Sequence, residues 1–318
     1  MNIVLAGSVA YDYLMTFPGR FKEHFLPDQI DTLSVSFLVE TMVKRRGGIA
    51  PNIAYTLALL GTSSKIFATV GEDFSEYYAW LEEQGIDTSL IKVIPGVNTA
   101  SFFANTDLDN NQIASFYPGA MGYSAELSVH DLDEKPDLVV ISPVDPGAMV
   151  KTARECVELN VPYLYDPSQQ IIRLSGEELL EGVKGAHSVF VNEYELGMLT
   201  KKTGLTQAEI NEYVDYMVVT LGEKGAAIYV GDQTYHVPVV PPAAIADPTG
   251  VGDAFRGGFL AGLSHGFDWE LCGQMGALAA TYVLEQHGTQ THAYSREEYI
   301  ARFRKHFDDA GALDALLK

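Results

Sequence analysis

The chain has 318 residues, of which 47% are hydrophobic and 20% are charged, a composition typical of globular proteins. Its formal net charge of −21 argues against nucleic acid as a partner, although backbone amides and Mg²⁺ can still bind phosphate in an acidic protein. No apolar run is long enough to cross a bilayer, and the length suits one large α/β domain with a smaller appendage.

The N-terminus and the two cysteines indicate a cytoplasmic protein. Residues 2–6 are apolar but follow Met1 without a basic leader, so we expect a first strand rather than a signal peptide. Cys156 and Cys272 each lie within a helical pattern, which predicts core thiols in a reducing compartment rather than a disulfide or a metal site.

Predicted strands and helices alternate along most of the chain. Apolar runs predict strands at 2–6, 65–70, 138–141, 163–165, 188–191, 218–220 and 226–230. Helical periodicity predicts helices at 50–60, 147–159, 271–287 and 296–307. Asp73 and Glu76 resemble a capping box, which predicts a further helix that ends near Gln84. This alternation is typical of a parallel sheet with helices on both faces.

Two β-like segments, 13–46 and 99–121, interrupt the alternation. We predict that they form one small sheet that covers the site as a lid, while residues 1–12, 47–98 and 122–318 form the catalytic domain. The first segment ends in Lys44, Arg45 and Arg46. This basic run fits either a solvated face or a lid in which one arginine reaches a migrating phosphate.

The most informative stretch, residues 247–258, reads Asp-Pro-Thr-Gly-Val-Gly-Asp-Ala-Phe-Arg-Gly-Gly and opens a helical pattern. Its glycines allow close backbone approach, and the free amides of a helix N-terminus bind phosphate oxygens. Asp253 lies in the first turn, where the helix dipole should make it a weaker base. A fixed carboxylate beside an anion site suits phosphoryl transfer to an alcohol, although a simple helix start would fit a shorter motif equally well.

Residues 247–253 resemble the C-terminal signature D-T-x-G-A-G-D of the ribokinase-like (PfkB) carbohydrate and nucleoside kinases, with Pro248 and Val251 as departures. The resemblance implies a three-layer αβα sandwich with a mostly parallel central sheet and a small β-sheet lid. It also implies that ATP and Mg²⁺ are used, that Asp253 is the general base, and that Gly250, Val251 and Gly252 form the anion hole.

Other motifs of the same family imply acceptor contacts. Gly-Gly-Ile-Ala-Pro-Asn at 47–52 matches G-G-x-x-x-N, which implies that Gly47 and Gly48 approach a sugar and that Asn52 binds its hydroxyl. By the same resemblance Asp12 accepts from two adjacent sugar hydroxyls, although a turn or cap role is as plausible from the sequence alone. Gln169, which follows a predicted strand, is a candidate contact to a base or a sugar.

Two further motifs imply nucleotide contacts. Residues 192–195 match N-x-x-E, in which Asn192 and Glu195 can hold a hydrated Mg²⁺, with Glu195 acting through water. Residues 220–225 resemble the family's nucleotide-binding turn, which implies that Thr220, Gly222 and Gly225 approach ATP; a plain hairpin is the alternative. Residues 287–291 resemble the family's monovalent-cation loop only loosely, so activation by K⁺ stays open.

The sequences of the lid segments indicate which class of molecule accepts the phosphoryl group. Residues 11–17, 26–29 and 106–112, including Gln112, resemble prokaryotic nucleoside kinases of the adenosine kinase type. This resemblance implies the 5′-hydroxyl of a ribonucleoside such as adenosine or inosine, with base contacts from Phe17, Phe103, Phe116 or Met121. A kinase for a free sugar or a sugar phosphate is the main alternative. An inactive binding protein on the same scaffold is less plausible, because the chain retains Asp253 and both glycines of the motif, and a protein that only binds needs no base. The sequence leaves monomer and homodimer open.

Overall fold

The computed structural model describes residues 1–24 and 34–318, so the nucleoside-kinase-like string at 26–29 lies outside the described residues. Within them the strands are β1 (Ile3–Ala6), β2 (Ala10–Thr16), β3 (Thr41–Gly47), β4 (Ser64–Val70), β5 (Ile91–Val93), β6 (Ala100–Thr106), β7 (Gln112–Tyr117), β8 (Leu138–Ile141), β9 (Tyr163–Tyr165), β10 (Ser188–Asn192), β11 (Tyr216–Thr220), β12 (Ala226–Val230) and β13 (Gln233–Val237).

The α-helices of the described residues are α1 (Ile49–Leu59), α2 (Ser75–Glu83), α3 (Pro146–Glu158), α4 (Gly176–Gly185), α5 (Glu193–Thr203), α6 (Gln207–Tyr213), α7 (Val251–Ser264), α8 (Trp269–Leu284) and α9 (Arg296–Phe303). The capping box predicted before α2 is not formed. Asp73 instead accepts hydrogen bonds from the amide and the hydroxyl of Thr99, at 2.7 Å each, which ties the start of β6 to this helix.

Nine strands form a large sheet in the order β13-β12-β11-β10-β9-β8-β1-β4-β5. The strands from β11 to β5 in this order pair in parallel, and β12 and β13 add an antiparallel edge. The predicted α/β architecture with a mostly parallel sheet is confirmed.

Side chains of β1 alternate between two hydrophobic cores, which shows how helices cover both faces of the sheet. Ile3 and Leu5 belong to a core that includes residues of α1, α7 and α8, whereas Val4 and Ala6 belong to one with residues of α3 and α4. A strand buried on both faces reads as a continuous apolar run, as the sequence of residues 2–6 does.

Four remaining strands form a second sheet in the order β3-β2-β6-β7. Residues from both β-like segments contribute to it, and β2 begins at Ala10, so Asp12 belongs to this sheet rather than to the end of β1. We refer to β2, β3, β6 and β7 as the small sheet. Its action as a lid and the division into two domains stay predictions.

Candidate active site

A cavity of about 480 Å³ lies between the small sheet and the carboxyl ends of β1, β9, β10 and β11. The β1 strand is the point where the strand order reverses, since β4 and β8 leave on opposite sides of it. Ligands of open α/β sheets bind outside the carboxyl ends of the strands at such a reversal. Most of the predicted site residues line this cavity: Asp12, Gly48, Asn52, Gln169, Asn192, Glu195, Thr220, Gly250, Gly252 and Asp253.

Some predicted site residues lie outside the lining. Gly47 does not line the cavity, but its lack of a side chain leaves room for Asp12, because a Cβ at this position would lie 2.7 Å from Oδ2 of Asp12. Gln112 begins β7 and donates to Oγ1 of Thr106, about 13 Å along the strand from Phe116, which does line the cavity. The structure therefore does not place Gln112 with the other residues that were predicted to contact the acceptor.

Gly222 and Gly225 lie in the connection between β11 and β12, which pair antiparallel as a hairpin. Only Thr220 of the predicted nucleotide-binding turn lines the cavity. The approach of these two glycines to ATP stays a prediction.

The N-terminus of α7 opens on the cavity. Its N-cap residue, Gly250, has a φ of 79°, a left-handed conformation that favours glycine. The amide of Val251 points back to the carbonyl of Pro248 at 3.4 Å, while the next amides of the first turn have no carbonyl partner within the helix. Gly252 and Asp253 thus present the amides best placed to bind an anion.

Asp253 lies on this first turn with 13% of its side chain exposed. Its Oδ2 accepts a hydrogen bond from Nδ2 of Asn52 at 2.8 Å, and its Oδ1 lies 3.5 Å from a guanidinium nitrogen of Arg256. Burial raises the pKa of Asp253 even though Arg256 and Asn52 oppose the change. Loss of solvent is the largest cause of this net upward shift, and the weakening of the base by the helix dipole stays a prediction.

Sequence reasoning missed the buried ion pair beneath Asp253. Arg256 donates to Oδ1 of Asp166 at 2.5 Å, and Asp166 is fully buried directly after β9. Burial raises the pKa of Asp166 to about 7, against the opposing charge of Arg256. The spacing of Arg256 three residues after Asp253 was a signal that Arg256 lies beside Asp253, since residues three apart share a helix face, but not that it pairs with Asp166.

One row of side chains crosses the small sheet above the cavity. Strand register pairs Arg45 with Asp12, Asp12 with Phe102, and Phe102 with Phe116, so all four share one face. Asp12, Phe102 and Phe116 line the cavity. Burial raises the pKa of Asp12 to about 6, while Arg45 acts in the opposite direction.

Of the three residues in the basic run, Arg45 alone lies in this row. It pairs with Asp247 in the loop before Gly250, at 3.4 Å. The alternation of a strand sends its neighbours to the other face. There the Lys44 ammonium lies 3.8 Å from the ring centre of Tyr11, and the Arg46 guanidinium lies 4.2 Å from that of Trp80.

Among the aromatic and methionine candidates, Phe116 lines the cavity and the others do not. Phe103 stacks on Tyr13 on the opposite face, with ring centres 4.8 Å apart. Phe17 packs against Phe21, and Met121 is buried in the core. Phe102 was missed, although strand alternation next to Phe103 was a signal for it.

Asn192 and Glu195 form a reciprocal capping box at the start of α5, which explains their spacing structurally. The second carboxylate oxygen of Glu195 accepts from the hydroxyl of Ser168 at 3.0 Å. Each oxygen thus has one protein donor and keeps capacity for a water molecule. Within the described ranges, no three His, Cys, Asp or Glu residues cluster as a metal site. The residues therefore fit a hydrated Mg²⁺ held through water, not a direct protein cage.

Comparison with known proteins identifies the family. The model of the pfkB family of carbohydrate kinases matches residues 6–296. This chain belongs to the pfkB family. A nucleoside kinase of Methanocaldococcus jannaschii is 31% identical over 310 residues, which cover 96% of this chain and 97% of that protein. Membership makes the protein a kinase, which transfers a phosphoryl group to an alcohol, with ATP use implied by the family.

Solved structures of pfkB-family kinases superpose on nearly the whole chain. A nucleoside kinase of Burkholderia thailandensis in complex with inosine is 36% identical, with a TM-score of 0.86 and coverage of 96% of this chain and 99% of that one. The same enzyme in complex with ADP-inosine is 39% identical, with a TM-score of 0.83 and coverage of 96% of each chain. In the part of this chain that the structure describes, no helix is long and apolar enough to cross a membrane.

Proposed function

We propose that this kinase phosphorylates the 5′-hydroxyl of a ribonucleoside, such as adenosine or inosine, to the nucleoside 5′-monophosphate. The observation that carries the proposal is the position of Asp253. It lies beside the free amides at the start of α7 and lines the same cavity as Asp12, Phe102 and Phe116 of the small sheet. The similarity to nucleoside kinases, one solved in complex with inosine, supports the nucleoside as the acceptor.

Asp253 is the proposed general base. Its pKa is raised by burial, which brings the carboxylate closer to a useful basicity, and the hydroxyl proton passes to it as the phosphoryl group transfers. The amides of the turn Gly250, Val251 and Gly252 are the proposed anion hole, with those of Gly252 and Asp253 unobstructed by a carbonyl. Fixed donors of this kind stabilise charge that develops in the transition state.

The acceptor lies, in this proposal, between Asp12 and Asn52, with its base under Phe102 and Phe116. The carboxylate of Asp12 accepts from two adjacent ribose hydroxyls, and Asn52 donates to the sugar. The two phenyl rings are cross-strand neighbours and offer an apolar cover for a planar base. Gln169 lines the same cavity and is a candidate contact to the base or the sugar.

ATP supplies the phosphoryl group, and Mg²⁺ is the proposed accompanying ion. On this side of the cavity Asn192, Glu195 and Thr220 lie at the ends of β10 and β11. Glu195 would hold the ion through water, because protein donors already occupy part of its carboxylate. Whether K⁺ activates the enzyme, and whether it is a monomer or a homodimer, are separate from this proposal.

Release of ADP tests the acceptor class. Purified protein with ATP and Mg²⁺ is assayed against adenosine, inosine, guanosine, cytidine, ribose and fructose 6-phosphate. We expect turnover with at least one ribonucleoside and poor turnover with fructose 6-phosphate, since two residues of the basic run face away from the cavity. Efficient use of ribose or fructose 6-phosphate with no nucleoside activity would reject the proposal.

A further inference from the structure

Behind Asp253 a chain of buried hydrogen bonds leads away from the cavity. Nε2 of Gln290 donates to Oδ1 of Asn52 at 2.7 Å, and Asn52 in turn donates to Asp253 at 2.8 Å. The same Nε2 lies 2.6 Å from the hydroxyl of Tyr77, which lies 3.0 Å from the carbonyl of Gly47 and can donate to it. Gln290, Asn52 and Tyr77 are each 5% exposed or less, so water does not replace these partners.

The carboxylate at one end fixes the direction of the bonds from Gln290 to Asn52 and from Asn52 to Asp253. An ionised carboxylate only accepts, so the amide of Asn52 must turn its Nδ2 toward Asp253 and its Oδ1 away. Oδ1 then needs a donor, and Gln290 supplies it. The two hydrogens of Nε2 match the two nearby acceptors, Oδ1 of Asn52 and the oxygen of Tyr77. Burial raises the pKa of Tyr77, which keeps its hydroxyl protonated and able to donate to the carbonyl of Gly47 or to Oε1 of Gln290, each 3.0 Å away.

We infer that Gln290 is a positioning residue for the reaction: through Asn52 it holds the carboxylate of Asp253 in place, and through Tyr77 it links that carboxylate to the end of strand β3 in the small sheet. Gln290 does not line the cavity and touches no reacting atom in this account. The inference rests on the proposed role of Asp253 as the base.

The charges around Asp253 determine what removal of Gln290 should do. Asn52 approaches from α1, Arg256 lies on α7, and the carboxyl groups of Asp12, Asp166 and Glu195 face the region from β2, from the end of β9 and from α5. The hydrogen bond from Asn52 lowers the pKa of Asp253. Without Gln290 the Asn52 amide is free to rotate, this bond weakens, and the pKa of Asp253 rises.

The test is the Gln290→Met substitution, which keeps the length of the side chain and removes its donor. We expect kcat to fall about tenfold, the KM for ATP to stay within about twofold, and the acid limb of the kcat/KM profile to move to higher pH. Tyr77→Phe, which removes an acceptor of Gln290 and the donor to Gly47, should change kcat in the same direction by a smaller factor. Gln274→Met on the surface of α8, where the side chain donates to Glu270 of the same helix, is the matched control and should change neither quantity.

Two outcomes would overturn the inference. The first is an unchanged kcat and an unchanged acid limb in Gln290→Met. The second is a loss of activity that is uniform with pH and accompanies a lower melting temperature, which would show that Gln290 only supports the fold. Asp253→Asn is measured in parallel: if that variant stays active, the proposed base is wrong, whereas an inactive Asn variant beside a normal Gln290→Met rejects only the positioning role.

Discussion

Two carboxyl groups near Asp253, the proposed base, have a pKa close to the physiological range, and their surroundings differ. The pKa of Asp12, on the small sheet, is raised to about 6 by burial, with Arg45 as its cross-strand neighbour. The pKa of Asp166, beneath Asp253, is raised to about 7 by complete burial, with Arg256 as its direct partner. Asp12 is free to contact an acceptor, whereas Asp166 is engaged by the protein itself.

Acceptor binding should therefore depend on pH through Asp12. Only the ionised carboxylate accepts from two hydroxyls, so the KM for the nucleoside should rise as the pH falls through about 6. Asp12→Asn should raise the KM at every pH and remove this dependence. Initial rates between pH 5 and 8 provide the measurement, and a KM that is flat with pH in the wild type would contradict the role of Asp12.

The ribose hydroxyls provide a second test of Asp12. A 2′- or 3′-deoxynucleoside leaves the buried carboxylate without one donor, which costs roughly 1–3 kcal/mol. We expect kcat/KM to fall by about tenfold or more relative to the ribonucleoside. Equal values for the two acceptors would remove Asp12 from the sugar site.

The ion pair of Arg256 with Asp166 should matter for stability. Arg256→Met leaves Asp166 buried without its ion-pair partner, with the hydroxyl of Ser142 as its remaining donor, a change that destabilises by about 3–5 kcal/mol. The folded-state pKa of Asp166, about 7, lies above its unfolded value of about 3.9, so folding favours the protonated form and the contribution of this group to stability falls between about pH 3.9 and pH 7 and is lost above. Because Arg256 lowers this pKa, its removal raises the pKa further, and the variant continues to lose stability above pH 7, where the wild type no longer does. The loss in Arg256→Met should accordingly be larger at pH 8 than at pH 6.

Urea unfolding of Arg256→Met at both pH values measures this effect. Arg154→Met is the matched control, because Arg154 makes a two-bond ion pair with Glu181 on the surface and should contribute little. Equal, small losses in both variants would show that the buried pair is not under this electrostatic constraint.

At the scale of one element, helix α7 is bounded by two glycines with similar backbone geometry. Gly250 before the helix has a φ of 79° and Gly266 after it has a φ of 72°. An added Cβ would lie 2.7 Å from Cγ2 of Thr289 at the first position and would meet nothing within 4 Å at the second. Alanine variants at the two glycines therefore distinguish the backbone strain that an alanine causes from its effect on the site.

We expect Gly250→Ala and Gly266→Ala each to lose about 1–2 kcal/mol of stability from the left-handed backbone. Only Gly250→Ala should also lower kcat, by on the order of tenfold, because relief of the contact with Thr289 moves the amides of the first turn. Steady-state kinetics beside thermal unfolding distinguish the two. A normal kcat in a folded Gly250→Ala variant would argue against the anion hole.

The small sheet is the second element for which we make a functional prediction. We expect it to close over the cavity when the acceptor binds, rather than when ATP binds. Asp12, Phe102 and Phe116 line the cavity where we propose that the acceptor binds, and closure would exclude water that competes for the phosphoryl group. Hydrogen exchange should show added protection in the described parts of 13–46 and in 99–121 together when a nucleoside binds. Protection of one segment alone, or of both by ATP alone, would contradict a lid that the acceptor closes.

At the scale of the whole molecule, much of the fold was predictable because its strands are buried on both faces and read as apolar runs. The predicted strands match the structure within a few residues. The short strand β5 was missed because its three residues include Lys92 and are partly or fully exposed, so they form no apolar run, unlike the equally short but buried β9. Most of the site residues that the motifs predicted lie around one cavity, because they follow parallel strands whose carboxyl ends share one edge of the sheet.

Contacts between distant parts of the chain could not be predicted. Asp166 and Arg256 are 90 residues apart, and nothing in either local sequence shows that they pair. Gln290 is 238 residues from Asn52. It lies within residues 287–291, which resemble the family's monovalent-cation loop only loosely. Asp73 resembled a helix cap, but its carboxylate was taken instead by Thr99, which the chain brings back 26 residues later.

The central claim, that this cavity phosphorylates a nucleoside with Asp253 as the base, is tested most directly by the kcat of Asp253→Asn. The substitution preserves the shape of the side chain and removes its capacity to take the hydroxyl proton. With the best ribonucleoside as acceptor, kcat should fall by on the order of 10²–10⁴, while the KM values for nucleoside and ATP stay within a few-fold. A variant that phosphorylates the nucleoside at close to the wild-type rate would contradict the account.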